Sequence, residues 1–474
     1  MALRCWLLLA LTGCAGHLDT VRPVAPDGVP EATTAWPAFV TPEDRELLAA
    51  SEREIETSRK GELLLTVLDA RGLPAKDVTV TWRQITHDFQ FGVSGMFAPA
   101  VWGDLVRAGI NHGTVAVDWA GTEPDPDSWT LEAVEASHGL GILPGLGVDM
   151  RASAALWMTP DRTPDHVRKL NRRALLSAVD RHVRGLVSRL RGKVVLWDAL
   201  REPNPEWANA VGQDPDALVL LAQTAALAVR TVDSVTPIGV SLANPLGEGQ
   251  ALAPMALVKR LLDAKVDLDV VGLEYYYNGY RRHPPKEASG VPTTEARRGL
   301  TEIAASLDDF ARFGRTLHVS GVSVPSVPAP HDPALAGYWG RRWSEELQAV
   351  YLRAFYTVAF GHPAVKAVVW RDALDSGAFV EHGGLFRKPG SAKPAFWALE
   401  DLIGKWTTRG EQATQEDGLI RFRGFGGRYV LDVANAVTGE HELRTVRVRE
   451  GELDSAIIDL PDAWLPPSPS PSQQ

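Results

Sequence analysis

Three acidic residues stand where a barrel-shaped enzyme would keep its proton-transfer groups: Glu202, Glu274 and Asp372. Glu202 closes the stretch that begins Val194-Val195-Leu196-Trp197, a short apolar run of buried-strand type, and Pro203 and Pro205 then force the chain out of regular pairing. Glu274 follows Leu273 at the end of a second apolar run, so period-two alternation can turn it toward the same side as the run's inward residues. Asp372 follows Trp370 and Arg371 at the end of a third. Two carboxyl groups across a cleft with aromatic walls are the equipment of glycoside hydrolysis, one as acid and the other as nucleophile or base. They would stand roughly 5–5.5 Å apart for retention, or about 6.5–9.5 Å for inversion. The plainer reading of each is a solvated loop carboxylate, and Glu274 can equally pair with Arg201 or another arginine and do no chemistry.

These residues need a scaffold, and residues 88–404 supply a pattern for one. Strand and helix alternate eight times, with strand candidates at Phe89–Ser94, Gly113–Trp119, Ile142–Asp149, Val194–Leu200, Pro237–Ala243, Val270–Tyr276, Leu317–Val324 and Val365–Trp370. The segments between are amphipathic, among them Pro164–Leu190, Asp216–Val232 and Ser344–Phe360. The pattern predicts an α/β chain forming a closed (β/α)8 TIM barrel, whose chemistry sits at the C-terminal ends of its strands. An open doubly wound sheet is the alternative, but no Gly-x-Gly-x-x-Gly follows the first strand. The other polar residues at strand ends are Asp118 and Trp119, Asp149, Asp198, Asn244, Tyr275 to Tyr277, and Arg371. The seventh strand ends in Ser320-Gly321-Val322-Ser323, without an ionisable group.

On either side of the barrel the chain changes character. Residues 59–87 hold two β-rich runs, Glu62–Leu68 and Asp77–Arg83, around a turn. Residues 405–460 hold three more, Leu419–Phe422, Arg428–Val433 and Thr445–Arg449. The two ends are expected to pair into one small accessory β-module. Residues 461–474, rich in Pro, Ser and Gln, read as a disordered tail. At the front, Arg4 precedes an apolar run, Cys5 to Leu11, too short to span a bilayer. Leu11-Thr12-Gly13-Cys14 resembles the bacterial lipoprotein box, which implies a signal peptide over 1–13 and a lipidated Cys14. Residues 14–58, rich in Pro, Ala and Thr with a helical stretch near Pro42–Ile55, then read as a tether. The reading is therefore of an exported cell-envelope protein held to the membrane by its N-terminal lipid. No other stretch approaches transmembrane length.

Composition narrows the partners. A net charge of −10 leaves no basic excess to neutralise phosphates, so nucleic acid is not expected. Fifteen tryptophans against eight tyrosines is a heavy count of indoles, and exposed indole faces stack on sugar rings. Trp157, Trp207, Tyr275, Tyr276 and Tyr277 lie in or beside strand-end loops and could serve so as a group; singly, each is more simply rim packing. His87, His112, His138 and His318 are scattered without ligand spacing, no Gly-x-Ser-x-Gly elbow occurs, and no metal or cofactor is called for. The only cysteines, Cys5 and Cys14, fall in the leader. Oligomeric state is not legible.

Over roughly residues 85–404 the chain resembles the family 10 glycoside hydrolases, the endo-β-1,4-xylanases. The matching pieces are Phe89-Gln-Phe-Gly92, Trp119, Trp197-Asp198-x-x-x-Glu202, Gly272-Leu273, Trp370 and Lys393-Pro-Ala395. The resemblance implies a retaining mechanism with Glu202 at the acid/base position and Trp119, Asp198, Tyr276 and Trp370 in substrate binding. The family's nucleophilic glutamate falls on Gly321, which has no side chain. Arg201 stands at the asparagine before the acid/base, Leu146 or a neighbour at a strand-three histidine, and Glu274 and Tyr276 at a glutamine and histidine of strand six. More loosely, Thr114, Val115 and Asp118 fall on a strand-two glutamate, asparagine and lysine. The expectation is a divergent protein that acts on or binds a polysaccharide, xylan-type β-1,4-glycan foremost. Hydrolysis is reduced or lost, or Glu274 or Asp372 replaces the nucleophile or base. The alternative is a non-catalytic glycan-binding or surface protein on a hydrolase barrel.

Overall fold

The computed structural model describes residues 35–205, 208–212, 214–246, 252–276, 299–328, 337–387, 391–435, 439–461 and 464. The leader with Cys14, the residues Trp207 and Tyr277, and the tail after Trp464 lie outside the described residues.

Seventeen strands are described, beginning with β1 (Lys60–Leu68) and β2 (Val78–His87) ahead of the barrel. The barrel strands are β3 (Gln90–Ser94), β4 (His112–Ala116), β5 (Asp149–Ser153), β6 (Leu196–Arg201), β7 (Ile238–Ala243), β8 (Val270–Tyr276) and β9 (Thr316–Ser323). A two-residue hairpin, β10 (Gly337–Tyr338) and β11 (Arg341–Arg342), precedes the last of them, β12 (Val365–Trp370). Every neighbouring pair is parallel, and β12 closes onto β3 with Ala367 opposite Gln90 and Trp370 opposite Val93. The chain is an eight-stranded closed parallel barrel wrapped by helices. β6, β7 and β8 are buried at every residue, as strands covered on both faces must be.

The helices follow from their patterns. Helix Arg172–Leu190 buries Leu175, Val179, Val183, Leu186 and Leu190, one stripe at spacings of three and four, and Asn171 caps it by accepting from Ala174 N. Asp214 and Pro215 open helix Pro215–Val232, and Ser344 opens helix Glu345–Gly361. Helix Pro215–Val232 is long and apolar enough to cross a membrane by composition; here its apolar face packs on the barrel.

The remaining strands are β13 (Arg409–Ala413), β14 (Leu419–Phe425), β15 (Gly427–Asn435), β16 (His441–Val448) and β17 (Leu453–Asp459). They combine with the two leading strands into facing sheets, β14-β1-β17 and β13-β2-β15-β16. Leu63, Leu65 and Val67 from one sheet meet Val80, Trp82, Leu431 and Val433 from the other, and Trp82 stacks on Phe422 at 4.4 Å. The accessory module is thus made by the segments before and after the barrel. Arg59 rivets the module to the barrel. Fully buried, it donates to the carbonyls of Phe360, His362 and Val365 at 2.6–2.7 Å and pairs with Glu450 at 3.3 Å.

Several expectations are corrected. The third barrel strand is Asp149–Ser153, not Ile142–Asp149. Leu143–Leu146 is a 3-10 turn ended by Gly147 at φ +82°, so the apolar run there belongs to a connection. Asp149 therefore opens its strand, at the end away from the chemistry, and the end of strand three is Ser153 rather than the region of Leu146. Trp119 is not on a strand but begins a one-turn helix, Trp119–Thr122, capped by Asp118. The stretch Pro164–Leu190 is two helices, broken between Arg168 and Arg172. Helix Pro42–Ser58 is no tether: it buries Leu48 and Ile55 in the main core, and the Trp339 indole donates to Asp44 at 2.5 Å. β13, polar on most of its exposed positions, and β17, which exposes Leu453 and Ile457 beside Ser455 and Asp459, were not anticipated.

Candidate active site

Glu202 leaves β6 with its backbone at φ +47°, a left-handed conformation that costs a residue with a Cβ on the order of 1–3 kcal/mol. The surroundings hold it there: its N–H donates to Ser241 O at 2.7 Å, and Asn204, two residues on, bridges Ala243 by both its amide groups. The side chain is turned into the barrel mouth and is only 1% exposed. Its Oε2 accepts from the Trp157 indole at 3.1 Å, and its Oε1 lies 3.4 Å from Arg201 Nη2.

Glu274 reaches the same point from β8, also 1% exposed. Arg201 bridges the pair, with Nε 3.1 Å from Glu274 Oε1 and Nη2 3.2 Å from Oε2. The two carboxyl groups are themselves in hydrogen-bond contact. At that spacing like charges cannot both ionise, so one proton is shared. Burial first, and then the neighbouring Glu274, push the Glu202 carboxyl well above the usual range. Burial would raise Glu274 too, but the Arg201 guanidinium and the hydrogen bond from Glu202 outweigh it and hold Glu274 below its ordinary value. Arg201 is buried, and the two glutamates more than offset that, so it is held firmly charged. The pair is therefore an acid donating to a carboxylate, clamped by a cation.

Gly321 faces Glu274 across the β8–β9 ladder, just past a bulge between Leu273 and Glu274. A Cβ built on Gly321 would lie 1.8 Å from the Tyr276 hydroxyl and 2.6 Å from Cζ. Tyr276, fully buried and edge-on to Phe379 at 4.9 Å, thus occupies the space of any side chain at 321. Burial, and after it Glu274, push its phenol well above the ordinary value, so it is neutral.

The other expected site residues separate from this cluster. Asp198 lies deeper in the barrel, in a two-point ion pair with Arg151 at 2.5 and 2.8 Å, and Ser241 donates to it at 3.2 Å. It positions strands and has no surface to offer a sugar. Trp119 is buried and stacked on His182 at 4.3 Å, with Trp129 on the other face of that ring at 5.5 Å. Trp370 is buried with its indole donating to Gly383 O at 2.8 Å. Asp372 accepts from Phe379 N at 2.8 Å, holding its own loop. Tyr275 points outward to Ser306 at 2.7 Å. His112 and His318 are buried in the barrel interior, where burial and then Arg151 lower both rings, His112 to about 3. Among the described residues no cluster of His, Cys, Asp and Glu could hold a metal.

What surrounds the pair at the mouth is a ring of cations and aromatic faces that the sequence reading under-weighted. Arg162 pairs with Asp118 at 3.0 Å and lies 5.1 Å from the Trp157 ring, whose own neighbour is Arg201 at 4.3 Å. Arg371, at the end of β12, lies 5.4 Å from the Phe379 ring and reaches Ser94 at 3.5 Å. Arg162 in the loop after β5, Arg201 at the end of β6 and Arg371 just past β12 are far apart in the sequence, and only the closed barrel brings them to one rim.

Comparison with known proteins fits this architecture. No family model matches the chain. Endo-1,4-beta-xylanase 1 of Arabidopsis thaliana is 18% identical over 417 residues, 86% of this chain and 40% of that protein. The chain thus spans less than half the length of the curated relatives it matches. Among solved structures, a family 10 glycoside hydrolase of Paenibacillus barcinonensis is 18% identical, covering 67% of this chain and 96% of that one with a TM-score of 0.50. The fold is that of the family 10 xylanases. Xylanase 10B of Thermotoga petrophila, solved with xylobiose, gives the same TM-score at 16% identity over 67% of this chain and 94% of its own. At this identity the likeness speaks for the barrel, and the residues at its mouth speak for themselves.

Proposed function

We propose that this chain is a divergent xylanase-like protein that binds a xylan-type β-1,4-glycan at the C-terminal mouth of its barrel and no longer performs retaining hydrolysis. The observation that carries the reading is the Tyr276 hydroxyl lying 1.8 Å from where a side chain at 321 would begin. A double displacement needs a carboxylate at that place to trap the sugar. Glu202, at the acid/base position, keeps a proton to donate but gives it to Glu274. Glu274 in turn is bound to Arg201, which ties it down and takes it from the part of a free base. The xylobiose held by the Thermotoga petrophila relative supports the choice of ligand. Export and lipidation at Cys14 belong to the same proposal and rest on the leader sequence alone. Metabolic labelling with a fatty acid, lost in Cys14→Ser, tests them.

The deciding experiment measures binding of xylo-oligosaccharides by calorimetry alongside turnover of an aryl β-xyloside, with and without azide. Binding without turnover in either condition is the expected outcome. Turnover without azide would refute the loss of hydrolysis. Turnover only with azide would mean a working acid beside an empty nucleophile site, and Glu202→Gln would then abolish it.

A further inference from the structure

Of the three arginines at the mouth, two are already spoken for. Arg162 pairs with Asp118, and Arg201 pairs with Glu274. Arg371 makes no ion pair with any described residue. Its Nη1 makes one long contact, 3.5 Å, to Ser94 Oγ, its guanidinium leans on the Phe379 ring, and its Nε is buried without an acceptor. The acidic groups nearby do not complete it. Asp372, its chain neighbour, accepts from Phe379 N, and Asp375 is taken by Lys393 at 2.6 Å. Glu202 and Glu274 feel the Arg371 charge, which favours their ionised forms, but the contacts they make are to Arg201, and neither forms an ion pair with Arg371. A guanidinium that is half-buried just past the C-terminal end of β12 and short of an acceptor at Nε has a fork of donors matched to a carboxylate.

We infer that Arg371, with Ser94 Oγ beside it, recognises the carboxylate of a uronic acid, so that the preferred ligand is an acidic, uronate-bearing β-glycan. Phe379 supplies an apolar wall next to the charge, and Trp157, half-buried across the mouth, offers an indole face to a neighbouring sugar ring. The occupied arginines sharpen the choice. A hydroxyl of a neutral glycan can accept from the Arg371 Nε but leaves the guanidinium charge unpaired, whereas a carboxylate accepts from the fork and cancels the charge in one contact. The inference rests on the glycan reading given above and assigns its chemical class.

The test is calorimetric binding of two β-1,4-xylo-oligosaccharides of equal length, one carrying a glucuronic acid branch and one undecorated, to the wild-type protein, Arg371→Gln and Arg371→Lys. The expected result is roughly tenfold or greater preference for the acidic oligomer. That preference is lost in Arg371→Gln, partly kept in Arg371→Lys, and weakened by salt in the wild type, while affinity for the neutral oligomer stays unchanged in both variants. Equal affinity of the wild type for both sugars overturns the inference and leaves the glycan reading standing. Binding of neither overturns both. Loss of binding to both sugars in Arg371→Gln, with an unaltered circular dichroism spectrum, also overturns it, because the residue would then serve the site generally.

Discussion

Substituting Gly321 by alanine tests the geometry on which the functional reading depends. The backbone at 321 is not in the left-handed region, so alanine is conformationally acceptable there. The nearest obstacle is Tyr276, whose Oη, Cζ and Cε1 would lie 1.8, 2.6 and 3.0 Å from the new methyl carbon. Ordinary carbon contacts begin near 3.5 Å, so the ring must retreat by at least about 1.5 Å. It has nowhere to go: Tyr276 is fully buried, with Phe379 against its edge. Overpacking of this kind costs about 1–3 kcal/mol. In a chain of this size, near 2.1 cal/mol/K of unfolding entropy per residue, 1 kcal/mol moves Tm by only about 1 °C, so heat is a poor assay. The urea midpoint at unchanged slope is the better one. Tyr276→Ala alone should lose about 3–5 kcal/mol through the cavity it leaves. In that background Gly321→Ala should cost nothing, a coupling of about 1–3 kcal/mol between the two sites. Should Gly321→Ala match the wild-type midpoint, or the double variant equal the sum of the singles, Tyr276 does not fill the space at 321 and the argument for lost hydrolysis fails.

Glu202 binds its proton more tightly folded than unfolded, so its contribution to stability is full below the unfolded value of 4.5 and is lost as pH rises toward its raised folded value. Glu202→Gln should flatten that fall in urea midpoints measured from pH 5 to 9; a slope that survives the substitution would place the titrating group elsewhere. Arg201→Met strands the carboxyl pair without its cation and should cost about 3–5 kcal/mol, relieved in Arg201→Met/Glu274→Gln; equal loss in both would mean that Glu274 is not its principal partner. Asp198→Asn leaves Arg151 uncompensated in the interior and should cost a similar amount while xylo-oligosaccharide affinity, measured on protein kept folded, does not change. A selective loss of affinity would return Asp198 to the binding site.

The barrel was legible because its strands β6 to β8 are short, mainly apolar runs with their charged residues few and near strand ends, and its helices repeat at three and four. The third strand was not, because Met150 to Ser153 carries an inward-facing arginine, and a buried Arg151 hides a strand from any reading by hydrophobicity. Glu202 and Glu274 could be found as strand-end carboxylates. Whether they stand apart or touch depends on a bulge in the β8–β9 ladder and on the left-handed turn at Glu202, neither of which has a local signature. Gly321 and Tyr276 were each visible as departures from the family pattern. That one fills the other's space is a fact about two adjacent strands seen end-on, and no spacing along the chain encodes it. Trp119 and Trp370 misled because indoles suit both a sugar platform and a packed core, and both are in the core here.

β1 lies at the centre of its sheet, and both strands that flank it, β14 and β17, come from the far end of the chain. A newly made chain therefore carries a strand with two open edges through the whole synthesis of the barrel, until residue 419 supplies the first partner. The module can close only as a last act, stapling start to finish across more than 350 positions of sequence separation. Loss of even the final strand from a truncated copy would bare one edge of β1 while leaving the barrel intact, turning a well-folded protein into one that seeks a strand from its neighbours.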